Sequence, residues 1–302
     1  MHIGKGMKRL LAAALAIGLL SACAGINAPG ASKTETPQQS LVATGKAMDQ
    51  LRSAKFDVNG TVQVTLPQSL VDQLKAKGGA QAGALSSNMT VTLKISGAAQ
   101  KPDQLQADVS AKLGGLTIET QVVAVGGTLY YKDPMTSKWE VLKRPETTAP
   151  KTSPGKLSYQ AILDTAKSIT EVTDSSATLN GATVEHYRVV PDLVNLFAQI
   201  SASHASSNSA ATAALQTVLQ NASLTADVWT GTNDHLIHRL SYDADVSADL
   251  HLLAGAFESS ATAKVPGLNL PAGSVAHVTA HIVIDLHDFN TQLKIQAPTV
   301  AG

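Results

Sequence analysis

The sequence is short of cysteine, of aromatic rings and of charge. A single Cys in 302 residues excludes any intramolecular disulfide. Charged side chains make up 15% of the chain, with Lys+Arg and Asp+Glu both at 23. That balance leaves no basic field to attract nucleic acid, so none is expected as a partner. Aromatics amount to five Tyr, four Phe and two Trp, whereas hydrophobic residues as a whole reach 44%. Such a chain is too apolar for disorder and too poorly charged for a coiled coil. Its interior has to be built from Ala, Val, Leu and Ile, which suits many thin strands. Gly-x-Ser-x-Gly, Walker A and Gly-x-Gly-x-x-Gly patterns are missing, and with them the support for nucleophile-elbow or nucleotide chemistry. No nucleophile–base pair emerges from the spacing, so neither an enzyme nor a cofactor is expected.

The first 22 residues read as a signal peptide. Lys5, Lys8 and Arg9 precede an apolar run from Leu10 to Leu20, then Ser21-Ala22-Cys23. The run is about half of the ~20 residues a spanning helix needs. Leu20-Ser21-Ala22-Cys23 looks like a bacterial lipobox, in which the Cys thiol takes a diacylglycerol, the signal is cut before it, and the new amine is acylated, palmitate being among the chains used. The chain is therefore expected to be exported and anchored through the lipid on Cys23 to the outer face of the cell membrane. Removing residues 1–22, with three basic and no acidic side chains, leaves 20 basic against 23 acidic groups, a formal charge of −3. Residues 23–40, the lipidated Cys and a segment rich in Pro, Gly, Ser, Thr and Gln, read as a flexible tether. Residues 41–302 then form a single domain.

Leu41 to Ser53 has a helical apolar face, and Phe56 to Leu66 alternates with Val58, Val62, Val64 and Leu66 on one side. Ser69 to Lys77 is a short helix. Alternation resumes in Met89–Ile95, Leu105–Leu113 and Leu116–Ala124. Gly126-Gly127 marks a tight turn before Thr128–Tyr131, and the meander ends near Trp139–Leu142. After Pro145, Pro150 and Pro154, the spacing of Ile162, Leu163, Ala166 and Ile169 predicts a helix over 157–169. Asn180-Gly181 predicts a hairpin, Pro191 opens a helix over 192–200, and 210–220 is helical. Strands follow in 224–229, 235–246, 275–286 and 293–295. The sum is an α+β fold: a strongly curved antiparallel β-sheet, a half-barrel, with helices packed on the concave side. Two stacked sheets are the alternative.

The order of these elements carries a resemblance. Lipobox and tether come first, then a helix, a long meander and "GGTLYYKDPMTSKW". An "NGATVEHYRVV" hairpin follows, then a helix, "ADVWTGTNDHLIHRLSY" and "HIVIDLHDFNTQLKIQAP". Together they resemble the LppX/LprA/LprF/LprG lipoproteins, whose relatives by fold are the LolA/LolB carriers and RseB-type sensors. The resemblance spans roughly Leu41 to Pro298, with longer stretches at Lys75–Ser87 and 201–209. It implies a carrier of acylated lipid or glycolipid in the envelope, working with an unnamed envelope transport partner.

The residues point the same way. A sheet curling around helices, with few rings to fill its concavity, leaves an apolar pocket suited to acyl chains. Candidate lining residues are Val62, Val64, Leu93, Ile95, Val109 and Ile118 from strands, and Ile162, Leu163 and Phe197 from helices. Tyr130 and Trp139 are added as wall residues, together with Tyr131 and Trp229. Each of these rings is equally accounted for as ordinary core. Lys132 and Lys138 are candidates at the rim. The alternative is an envelope sensor or interaction lipoprotein with a collapsed interior. His277, His281 and His287 share one strand face, but His-Glu-x-x-His is absent and no metal site is expected. Asp243, Asp245 and Asp249, with Asp285 and Asp288, read as solvated charges.

Overall fold

The computed structural model describes residues 35–78, 86–142, 159–173, 177–202, 209–257 and 270–300. Six helices and twelve strands lie in these segments. The first half holds α1 (Pro37–Gln50), β1 (Ser53–Thr65), α2 (Gln68–Gly78), β2 (Asn88–Gln100), β3 (Gln104–Leu113), β4 (Leu116–Val125), β5 (Thr128–Lys132) and β6 (Trp139–Val141). The second holds α3 (Tyr159–Asp164), β7 (Ala166–Glu171), β8 (Ala177–Leu179), β9 (Ala182–Pro191), α4 (Leu193–Ala202), α5 (Ser209–Gln220), β10 (Ser223–Gly231), β11 (Ile237–Asp249), α6 (Leu250–Phe257) and β12 (Val275–His287). All the strands belong to one antiparallel sheet in the order β6-β5-β4-β3-β2-β1-β12-β11-β10-β9-β7, with β8 beside β9. The sheet is curved and does not close, since β6 and β7 are its edges. A sandwich of two sheets is thereby excluded for the described residues.

Local chemistry explains most of the boundaries. At both tight turns two successive residues take positive φ, Asn180 (51°) with Gly181 (82°) and Gly126 (58°) with Gly127 (73°). Those angles match the right-handed twist of the strands they join. Helix α1 starts at Pro37, inside the stretch read as tether, because Thr36 and Gln39 form a capping box. The Gln39 N–H donates to Thr36 Oγ1, and the Thr36 N–H donates to Gln39 Oε1 at 2.9 Å.

Several expected elements are placed differently. The helix read over 157–169 ends at Asp164, and Ala166–Glu171 is strand β7, paired with β9. Ile162 and Leu163 keep their helical place, but Ile169 does not. Pro191 is the last residue of β9, opposite Ala166, and Asp192 caps α4 by accepting from the Asn195 N–H at 3.0 Å. His235 sits in a turn with φ 54°, so β11 begins at Ile237. The alternation at Leu293–Ile295 is an extended segment outside the sheet. There the Leu293 N–H donates to Gln100 Oε1 and Ile295 is buried. Helix α6 had no counterpart in the sequence reading. The signal peptide, Cys23, the tether as far as 34, the Pro-rich break and most of the two long stretches lie outside the described residues.

Candidate functional site

Residues directly opposite in neighbouring strands share a face, so the register maps the inner surface of the sheet. One row runs Val228, Leu240, Ile284, Val58, Ile95 and Val109 from β10 to β3. Another runs Ala280, Val62, Val91 and Leu113. Every even position of β1 from Phe56 to Val64 belongs to this face.

Cover over that face is uneven. Toward the start of β1, Leu41 of α1 and Leu163 of α3 join Phe56, Val58, Ile95, Leu105, Ala107, Tyr187, Val189, Val228 and Leu286 in one buried cluster. Leu41 has no exposed surface at all. Leu93, Val109 and Ile162 are half-buried and pack against that cluster. Beyond Gly60 the cover thins. Val62, Val64, Met89, Val91, Ile118 and Val278 are all half-buried and stand outside the cluster, and Leu113 and Leu116 are exposed. Phe197 is half-buried on α4 beside buried Leu196. The candidates thus divide into a sealed group (Ile95 and Leu163), a group at its margin (Leu93, Val109 and Ile162) and a half-buried group outside the cluster (Val62, Val64 and Ile118).

Two candidates are on the wrong side of the sheet. Tyr131 opposes Val122 on the inner face, so its neighbour Tyr130, opposite Val123, points outward. Trp139 opposes Lys132, which shares Tyr130's face. Neither ring lines the concavity. Lys132 is likewise on the outer face, its ammonium directed at Gln121 Oε1, and Lys138 is in the β5–β6 turn. That turn joins the two outermost strands of the sheet at one edge. Trp229 is also outward, stacked on His186 with centroids 4.1 Å apart and opposite Arg239. Sequence reasoning missed Met89, Val91, Leu113, Leu116 and Val278 as lining, although the same period-two pattern carried them.

The outer face is polar and internally paired. Asp227, buried, accepts from Arg188 Nε (2.9 Å) and Nη2 (3.2 Å) and lies 2.9 Å from His186 Nε2. Arg239 Nε donates to Asp285 at 2.6 Å. The three outward histidines of β12 each face a carboxylate: His277 faces Asp245 (3.5 Å), His281 faces Asp243 (2.7 Å) and His287 faces Asp57 (3.1 Å). Among the described residues no group of three or more His, Cys, Asp or Glu side chains could hold a metal ion. Asp249 caps α6, accepting from the N–H groups of His251 and Leu252.

Titration is perturbed where chemistry would not use it. Burial raises Tyr187 well above the usual phenol range, helped by its 2.6 Å hydrogen bond to Glu185. Burial also raises Tyr242. A hydrogen bond from Lys55 lowers exposed Asp288. Beyond Gly60 the apolar side chains of the inner face are aliphatic apart from Met89. No helix among the described residues is long and apolar enough to cross a membrane.

No family model matches the sequence, and no curated protein matches it. Among solved structures, the chain is similar to the lipoprotein LppX of Mycobacterium tuberculosis. The identity is 12% and the TM-score 0.40, covering 86% of this chain and 98% of that one. LprF from Mycobacterium bovis aligns at 13% identity and TM-score 0.42, covering 87% of this chain and 96% of that one. A LolA superfamily protein from Nitrosomonas europaea aligns at 8% identity and TM-score 0.21, covering 88% and 96%. LppX and LprF, of the lipoprotein group its sequence resembles, are thus among the solved structures to which this chain is similar.

Proposed function

We propose that this protein is an exported lipoprotein, acylated on Cys23 and held at the outer face of the cell membrane. Its half-covered inner face takes the acyl chains of a lipid or glycolipid and carries them within the envelope. The observation that carries this reading is the change of cover along one strand face, buried at Phe56 and Val58 and only half-buried at Val62 and Val64. From Gly60 to Thr65 the open stretch is ~17 Å long at ~3.4 Å per residue. One leaflet of a bilayer has a hydrocarbon depth of ~15 Å, half of the ~30 Å core. An acyl chain therefore fits along the strand, and each buried methylene contributes ~0.8 kcal/mol without a catalytic group. The head group stays at the open end.

The test is Val62→Trp and Val64→Trp in the purified protein, with retained lipid measured by mass spectrometry and stability by thermal melting. The expected result is loss of lipid with melting preserved. A drop in melting matching ~1–3 kcal/mol of overpacking, with no lipid present in the parent protein, refutes the reading.

A further inference from the structure

The open end of the inner face continues past the fold into an exposed apolar tip. Leu113 and Leu116 flank the β3–β4 turn and oppose each other across it. They are 43% and 51% exposed, though they extend the apolar row of Val62 and Val91. Between them, a Cβ built at Gly114 or Gly115 meets nothing within 4 Å, so the turn projects into open space. The same end of the sheet holds Val275 (48% exposed) at the start of β12 and Leu252 (50%) on α6. Leu250 N–H donates to Ser274 O, which brings those two elements together. At the base of the tip, exposed Lys112 and Glu119 lie diagonally across the β3–β4 pair, so the hairpin end carries no net charge.

We infer that this end docks on a bilayer, with the Leu113–Leu116 tip entering the interfacial region and the open inner face meeting the acyl chains. The inference rests on the anchored-lipoprotein reading above. Exposed aliphatics at a hairpin tip gain by leaving water, and the tip itself, from Leu113 to Ile118, carries no charge that would have to be desolvated. The anchor permits the contact: Cys23 and Thr36 are thirteen positions apart, a reach of up to ~45 Å when fully extended. A bilayer is also the place where a chain-binding groove can load without exposing its cargo to water.

The test uses the mature acylated protein in vesicles of phosphatidylcholine and phosphatidylglycerol. Acylation occupies the Cys23 thiol, so Gly115→Cys supplies one free thiol for a nitrobenzoxadiazole probe, and Asn233→Cys does the same at the opposite end of the sheet. Iodide quenching at position 115 is expected to fall at least threefold on vesicles, with position 233 unchanged. Adding Leu113→Ser and Leu116→Ser should return position 115 to water while leaving the melting temperature in place. Equal quenching at 115 and 233 overturns the inference, as does shielding that survives the serine pair. Shielding at 115 that appears without vesicles and depends on protein concentration also overturns it, by showing a second copy on the tip. If intact mass shows no acyl groups, the anchor reading has failed separately. The probe is then placed in a Cys23→Ala background and read with vesicles added in excess, with the same outcomes deciding. Lipid retention by the wild type reports on cargo independently.

Discussion

Two glycines on the inner face sit on either side of the line where cover gives out, and alanine should act on them in opposite directions. A Cβ at Gly97 would lie 2.5 Å from Gln106 O, 2.5 Å from Phe56 Cζ and 3.0 Å from Phe56 Cε2. The carbonyl belongs to β3, paired with β2, and the ring belongs to the buried cluster, so neither can retreat freely. Overpacking of this kind costs ~1–3 kcal/mol. Against it stands ~0.4–1 kcal/mol gained by stiffening the unfolded chain. Gly97→Ala should therefore lose up to ~2.5 kcal/mol, and at ~2–4 °C per kcal/mol its melting temperature should fall by up to ~10 °C. At Gly60 the nearest atoms to an added Cβ are Ile282 Cγ1 at 3.5 Å, Leu93 Cβ at 3.7 Å and His281 O at 3.8 Å. These are ordinary contacts, so Gly60→Ala should be neutral or gain up to ~1 kcal/mol. Differential scanning calorimetry of both variants decides. Phe56→Leu combined with Gly97→Ala should recover part of the loss, as expected of residues in contact. Equal losses at the two positions, or none at Gly97, would refute the placement of the sealed core.

Cys23→Ala should abolish acylation, read as the loss of acyl mass in the intact protein, while the melting temperature of the domain stays within ~1 °C, because the buried cluster among the described residues begins at Leu41. Tyr187, raised by burial and by its bond to Glu185, stabilises the fold while protonated. That contribution is complete below about pH 10, the phenol's ordinary value, and is lost as pH rises through the higher folded value. Alkaline melting curves should accordingly fall more steeply for the wild type than for Tyr187→Phe.

The half-barrel was legible because β1, β2, β3 and β12 alternate without interruption and because Asn-Gly and Gly-Gly turns declare themselves. The boundary at Asp164 was not. Ile162, Leu163, Ala166 and Ile169 satisfy a helical period, and only pairing with β9 converts the last two into strand. For the site, strand parity alone determined more than residue type did. Tyr130 and Tyr131 are adjacent in an extended strand and must face opposite sides, so choosing Tyr130 and Trp139 for their size placed them on the wrong surface. What no pattern could supply was the cover: Val58 and Val62 are alike in sequence, yet Val58 is buried in the cluster with Leu41 of α1 and Leu163 of α3 while Val62 is only half-buried outside it.

The pairing of β1 with β12 sets the order in which this protein can become itself. Lys55 and His287 are partners, so the middle of the sheet joins strands made near the two ends of the described chain. During synthesis the meander β1–β6 can assemble early. The free edge of β1 then waits for the last strand, with Phe56 and Val58 lacking Leu286 and Ile284 beside them. Closing so long a loop is slow, and an unpaired central edge invites other chains. Under the export proposed above, a delay of that kind is an advantage, because a chain must thread its translocation pore before it folds. It also makes β12 a checkpoint: a chain cut before Val275 would expose two raw edges at the centre of the sheet and would be expected to aggregate.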